Sequence, residues 1–217
     1  NELFWTGFEY WERESLYWWM EEVARHQVIF DIGANTGVYA LLAKLLNPEA
    51  QVHAFEPLPA NRQRLEQHAR MNQVALNIWP YAVSNEAGQA TFHINPKEAY
   101  TASLEAGNQA RSIEINVETI ALDTWLAATD TPAPTLIKID IEGHEPAAFA
   151  AMQQLLRQHK PTIIFEVLSI AFLQEVMAQV PAGYSLRVVS QPDVSLKVEE
   201  ATQTHTNYLL VPEGRDA

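Results

Sequence analysis

The stretch 28–37, VIFDIGANTG, constrains this chain more than any other. A short apolar run leads into Asp31, and Gly33 and Gly37 then bracket Asn35. A buried parallel strand followed by a glycine-rich turn and an apolar helix is how open α/β sheets build nucleotide-type cofactor sites. Any fold assigned to the remaining residues has to accommodate that unit.

The pattern continues as strands alternating with helices. Helices are expected at 38–46, 59–71, 122–128, 146–158 and 170–179. Strands are expected at 28–32, 51–55, 77–83, 136–141 and 162–167, with closing strands at 184–189 and 208–211. Alternation at 89–94 and 111–119 predicts two antiparallel strands. The polar stretch 95–110 between them has no period and reads as a loop over a site. Strands joined by helical crossovers require a mostly parallel α/β sheet with helices on both faces, and ligands of such sheets lie beyond the carboxyl ends of the strands.

Residues 1–27 differ in composition. They hold Trp5, Trp11, Trp18 and Trp19, interleaved with glutamates, and predict an amphipathic helix near 9–25. The plain reading is an aromatic stripe packed on the sheet domain of residues 28–217. The alternatives are a cap in which Trp18 and Trp19 shield an acceptor, or a homodimer face.

A formal charge of −13 argues against a nucleic-acid partner, because phosphate binding is driven by Lys and Arg. The chain has no cysteine, which excludes disulfides, thiolate metal sites and a cysteine nucleophile and fits a reducing, cytoplasmic location. No apolar run approaches the ~20 residues of a membrane span, and no signal-peptide pattern is visible. The chain opens on Asn1, which fits a processed chain or an excised domain.

A dinucleotide site calls for G-x-G-x-x-G, but the later positions counted from Gly33 hold Asn35 and Val38. The turn therefore suits a ligand without a pyrophosphate, which makes a nicotinamide enzyme the weaker rival. Glu56 follows the second strand with Pro57 behind it, about 20 residues after the glycines, where a carboxylate accepts ribose hydroxyls. Its other reading is a carboxylate at a helix N-terminus.

DIGANTG, the FEP at 55–57, the AVS at 82–84 and the KIDIEGHE at 138–145, each at a strand end, together resemble the FkbM-type S-adenosylmethionine-dependent methyltransferases. The resemblance covers about 28–212. It implies the class I methyltransferase fold, a Rossmann-like sheet of seven strands in the order 3-2-1-4-5-7-6 with one antiparallel strand. It also implies S-adenosylmethionine as cofactor, S-adenosylhomocysteine as product, and a hydroxyl of a small molecule or glycan as acceptor. Asp31 and the turn Gly33, Ala34, Asn35, Thr36 and Gly37 would flank the methionine part. Glu56, with Pro57, would hold the ribose. Ala82 and Val83 would border the adenine, with Ser84 a polar contact. Asp140 would face the amino group or sulfonium.

Lys138, Asp140 and Glu142 are two residues apart, so an extended strand would place them on one face. Asp140, Glu142 and His144 are the candidate bases for deprotonating a hydroxyl, with Glu166 behind them. His144 and Glu145 have a capping role as their alternative, and Glu142 that of a structural hydrogen-bond hub. A divalent cation on Asp140, Glu142 and Glu145 is a less economical reading, since the cluster is explained without one. The other histidines have no ligand spacing. A domain that binds the cofactor without turnover is the rival to an enzyme.

Overall fold

The apolar run of the opening motif forms strand β1 (Val28–Ile32) in the computed structural model, which describes residues 12–94, 102–103, 113–201 and 207–214. Its neighbours are the equally buried β2 (Gln51–Phe55) on one side and β8 (Leu136–Ile139) on the other, both parallel to it. Ile29 lies opposite Val52 and Leu136, so the register places apolar residues side by side across three strands. Burial on both faces of these strands demands helices above and below.

The main sheet has eight strands. From one edge they are β11 (Gln191–Ser195), β10 (Tyr184–Val188), β12 (Asn207–Pro212), β9 (Thr162–Glu166), β8, β1, β2 and β3 (Asn77–Trp79). Strand β12 runs antiparallel to both β9 and β10. Without β11 this is the order that the family resemblance implies. The added edge strand, QPDVS, is largely exposed and carries Pro192, so it has no apolar alternation to announce it.

One face of the sheet packs Phe30, Ile32, Ile137, Ile163 and Phe165 beneath α4 (Leu122–Ala128), α5 (Glu145–Ala150), α6 (Gln153–Gln158) and α7 (Ile170–Met177). The other face packs Ile29, Val52, Leu136 and Ile164 against α1 (Arg13–Glu22) and α2 (Val38–Leu46), with Leu65 of α3 (Pro59–Met71). Trp18 and Trp19 of α1 are both buried there. The Trp19 indole N–H donates to the Tyr39 carbonyl at 3.1 Å, and the two rings meet edge to face at 5.5 Å. Neither tryptophan lines the cleft described below. Trp5 and Trp11 lie outside the described residues. No helix among the described residues is long and apolar enough to cross a membrane.

The single strand expected at 77–83 is two. Pro80 offers no N–H to a ladder, and after it the chain leaves the main sheet. Strand β4 (Tyr81–Val83) instead pairs parallel with β7 (Ile113–Ile120) in a second sheet ordered β4-β7-β5-β6, with β5 (Gly88–Ile94) and β6 (Ala102–Ser103). Most of the stretch 95–110 lies outside the described residues. The helix expected at 146–158 is also two, α5 and α6, broken at Ala151 and Met152.

Candidate active site

The chemically suggestive motifs end strands of the main sheet, except the AVS at 82–84, which ends β4 of the second sheet. Near the end of β1, Asp31 is almost fully buried, and its Oδ2 accepts the Ala40 N–H at 2.9 Å. That N–H belongs to the first turn of α2, which has no carbonyl of its own to donate to, so Asp31 holds the helix start against the strand. Burial pushes the Asp31 carboxyl up to about 6, with the Lys138 charge opposing the shift.

The turn glycines are set by packing. Gly33 has φ +82°, and a side chain there would place its Cβ 1.8 Å from the Asp140 carbonyl oxygen. At Gly37, with φ +95°, a Cβ would meet Leu65 at 2.8 Å. Between them Asn35 takes a left-handed φ of 50°, a conformation Asn adopts more readily than most residues. Thr36 is tied outward, its carbonyl accepting from His68 Nδ1 at 2.9 Å.

After β2, Glu56 is 4% exposed. Its Oε2 accepts the Asn35 N–H at 2.8 Å and its Oε1 the Leu58 N–H at 2.9 Å. One carboxylate thus joins the glycine turn to the residue preceding α3, which fits the helix N-terminal role expected for it. Burial raises its pKa to about 7, against the pull of those two N–H groups, the Asn61 side chain and Arg62.

Strand β8 stops at Ile139, so the alternation expected through Glu142 fails. Asp140 instead reaches Lys138 Nζ at 2.8 Å, and that ammonium lies 4.4 Å from the centre of the Tyr39 ring. Burial alone would lower the Lys138 pKa. The carboxylates of Asp140 and Asp31 outweigh it, and the net shift is upward, so Lys138 is a permanent cation under Asp140. Glu142 then takes a left-handed φ of 55° and Gly143 one of 98°. A non-glycine residue held there costs about 1–3 kcal/mol and persists where its surroundings impose it.

Glu145 supports this bend. Its Oε1 accepts the N–H groups of Ile141 at 3.0 Å and Gly143 at 3.4 Å. Its Oε2 is buried and has no hydrogen-bond partner among the described residues. His144 makes no side-chain cap at α5, and its Nε2 lies 2.9 Å from Ser84 Oγ instead. Burial, followed by the Asp140 charge, raises the pKa of Glu142, and the same causes take Glu166, at the end of β9, up to about 8.

These strand ends frame a cleft with roughly 660 Å³ of space when its open mouth is included. Of the residues expected from sequence, Gly33, Asn35, Glu56 and Pro57 line it on one side, Ala82 and Val83 on another, and Asp140, Glu142 and His144 on a third. Asp31, Ala34, Thr36, Gly37 and Ser84 do not line it. Asp31 and Gly37 act from behind by fixing α2 and α3, and Ser84 by bonding His144. The structure adds Phe55, Leu58, Asn61, Tyr81, Phe92 and Ile141 to the wall. Leu58, Ala82 and Phe92 form one apolar cluster between α3 and the second sheet. Asn61 follows Glu56 by five residues, a spacing local enough to have been found. Phe92 comes from another sheet and left no local signal.

The family model of the methyltransferase FkbM domain matches residues 31–186. The chain belongs to the FkbM methyltransferase family. Among FkbM-domain relatives, it is 29% identical to the 31-O-demethyl-FK506 methyltransferase FkbM of Streptomyces tacrolimicus, over 79% of this chain and 77% of that protein. It is 28% identical to the hexuronic acid methyltransferase AglP of Haloferax volcanii, over 64% of this chain and 55% of that one. The chain thus spans just over half the length of AglP. A crystal structure of a methyltransferase FkbM from Methylobacillus flagellatus matches with a TM-score of 0.54 at 16% identity, over 85% of this chain and 43% of that one, a likeness of fold. The FkbM domain begins at Asp31 and so includes every strand-end motif around the cleft.

Proposed function

We propose that this chain transfers the methyl group of S-adenosylmethionine to a hydroxyl oxygen of a small molecule or glycan. The observation that carries this reading is Glu56, a carboxylate withdrawn from water yet lining the cleft at the end of β2. A buried carboxylate is stable only when its lone pairs are met by donors, and the two hydroxyls of a ribose are suitable donors. The Leu58, Ala82 and Phe92 cluster beside it suits a flat base. No G-x-G-x-x-G turn is present to grip a pyrophosphate.

When bound, S-adenosylmethionine supplies a methyl group already activated on a sulfonium. This chain's residues have two further tasks. Asp140, held at its Oδ2 by Lys138, is fixed in position at the cleft wall, where a carboxylate favours a cationic ligand group. His144 and Glu142 face the same space and can take the proton of a hydroxyl as its oxygen attacks. Holding the acceptor in line in a cleft that sheds water supplies most of the remaining rate. A hydroxyl acceptor is supported by a relative named for methylating a 31-O-demethyl compound and by another named as a 2-O-methyltransferase.

Calorimetry with S-adenosylmethionine tests the donor, and Glu56→Gln should weaken binding about ten- to a hundredfold. Absence of binding by the unmodified chain would sink the reading. Incubation with methyl-labelled cofactor and a panel of uronic acids and macrocyclic alcohols tests the acceptor. Label should appear as a methyl ether, and His144→Ala should slow turnover while leaving cofactor affinity within about twofold. Binding without label transfer to any acceptor would favour a module that holds the cofactor without turnover.

A further inference from the structure

His144 stands where a helix-capping side chain is expected, yet its ring makes no cap on α5. Its main chain is fixed all the same, because its carbonyl accepts the N–H groups of Ala147 and Ala148 at 3.1 and 3.2 Å. Rotation of the ring is the freedom that remains, and the residue lines the cleft. A contact that governs this rotation comes from 60 residues earlier in the chain, where Ser84 Oγ lies 2.9 Å from His144 Nε2.

Ser84 is itself firmly placed. It is 7% exposed, and its N–H donates to the Ile120 carbonyl at 2.9 Å where β4 ends beside β7. Its hydroxyl has one proton, which is donated to Asn85 Oδ1 at 3.2 Å. Toward His144 the Ser84 oxygen therefore only accepts, so Nε2 carries the ring proton and Nδ1 the lone pair. The hydrogen-bond network thus selects one tautomer.

Resting on the methyl transfer proposed above, we infer that Ser84 is a positioning residue for the reaction. It holds His144 in the Nε2–H tautomer and so makes Nδ1 the nitrogen that receives the acceptor's proton. As the hydroxyl proton passes to Nδ1, the oxygen bonds to the methyl carbon, and the carbon–sulfur electron pair leaves with S-adenosylhomocysteine. The imidazolium that results still donates from Nε2 to Ser84, so the ring keeps its place in both charge states. A base whose other nitrogen is held by a third group is a general way of orienting an imidazole. Ser84 does not line the cleft, so it acts through His144.

The deciding measurement needs no acceptor. Long-range proton–nitrogen correlation spectra of the nitrogen-labelled full chain at alkaline pH report which ring nitrogen is protonated, with His144→Gln to assign the signals. His144 should be the Nε2–H tautomer in the unmodified chain, a mixture of tautomers in Ser84→Ala, and Nε2–H again in Ser84→Thr, which restores a hydroxyl. An Nδ1–H ring in the unmodified chain, or a signal unchanged in Ser84→Ala, overturns the assignment. Turnover of methyl-labelled S-adenosylmethionine with the panel of uronic acids and macrocyclic alcohols gives the second readout. Ser84→Ala should lower kcat about tenfold and Ser84→Thr should recover most of it, while S-adenosylhomocysteine affinity stays within about twofold. A loss of that affinity as large as the loss of kcat would make Ser84 a structural residue only and would also overturn the proposal. Failure of the unmodified chain to transfer label would instead defeat the reading of the reaction, and the spectra would still decide which tautomer Ser84 holds.

Discussion

A methyl group on Gly33 would lie 1.8 Å from the Asp140 carbonyl oxygen, so the two strand-end loops touch through a residue that has no side chain. Gly33→Ala combines that overlap with a left-handed φ, and it should destabilise the fold by roughly 3 kcal/mol or more. Urea unfolding would measure this, and a loss below about 1 kcal/mol would show that the loops yield easily. At this scale the sequence was legible wherever a residue's position at the cleft followed from its place after a strand. Glu56 and Asp140 are of that kind, and both line the cleft. Asp31 was harder to read, because only the folded chain shows its carboxylate serving the Ala40 N–H. Glu142 misled for a physical reason: two-residue alternation holds only while the strand lasts, and β8 ends at Ile139.

Among the elements, α1 joins the core through Trp19, which is fully buried and bonded to the Tyr39 carbonyl. Trp19→Ala should cost about 3–5 kcal/mol, the usual range for emptying a buried aromatic site. Chemical denaturation checks the size. The affinity of the folded variant for S-adenosylhomocysteine should stay within about threefold, since Trp19 does not line the cleft, and a larger change would link α1 to the site. Most element boundaries were readable from periodicity and from proline. The break between α5 and α6 was not, because its cause is remote in sequence. Asp123 of α4 accepts the N–H groups of Gln154 and Leu155 at 2.7 and 2.9 Å, and its own N–H donates to the Ala151 carbonyl at 2.9 Å. A cap supplied by another helix leaves no trace in the local pattern.

Across the whole molecule, five carboxyl groups among the described residues are pushed upward by burial: Glu142, Asp31 to about 6, Glu56 and Glu145 to about 7, and Glu166 to about 8. Between the ordinary values of 3.8 for Asp and 4.5 for Glu and these raised ones, the native chain holds protons that the unfolded chain has released. Unfolding is then favoured by rising pH, so the stability these groups lend is present at acid pH and lost towards pH 8. The thermal midpoint of the ligand-free protein should fall between pH 5 and 8, and Glu145→Gln should flatten that slope. A midpoint that rises over the same range would contradict the assignment of neutral buried acids. The divided strand at Pro80 has a different consequence. The polypeptide departs along β4 and returns along β7, where Val83 and Ile120 are paired and the Ser84 N–H donates to the Ile120 carbonyl at 2.9 Å. Departure and return share one doorway, so residues 84–119 form an excursion whose two ends are already fastened together. Doubling the length of such an excursion costs only about 0.6 kcal/mol in closure entropy. It can be transplanted between relatives as a cassette, replacing the Phe92 wall while Glu56 and Asp140 stay in place.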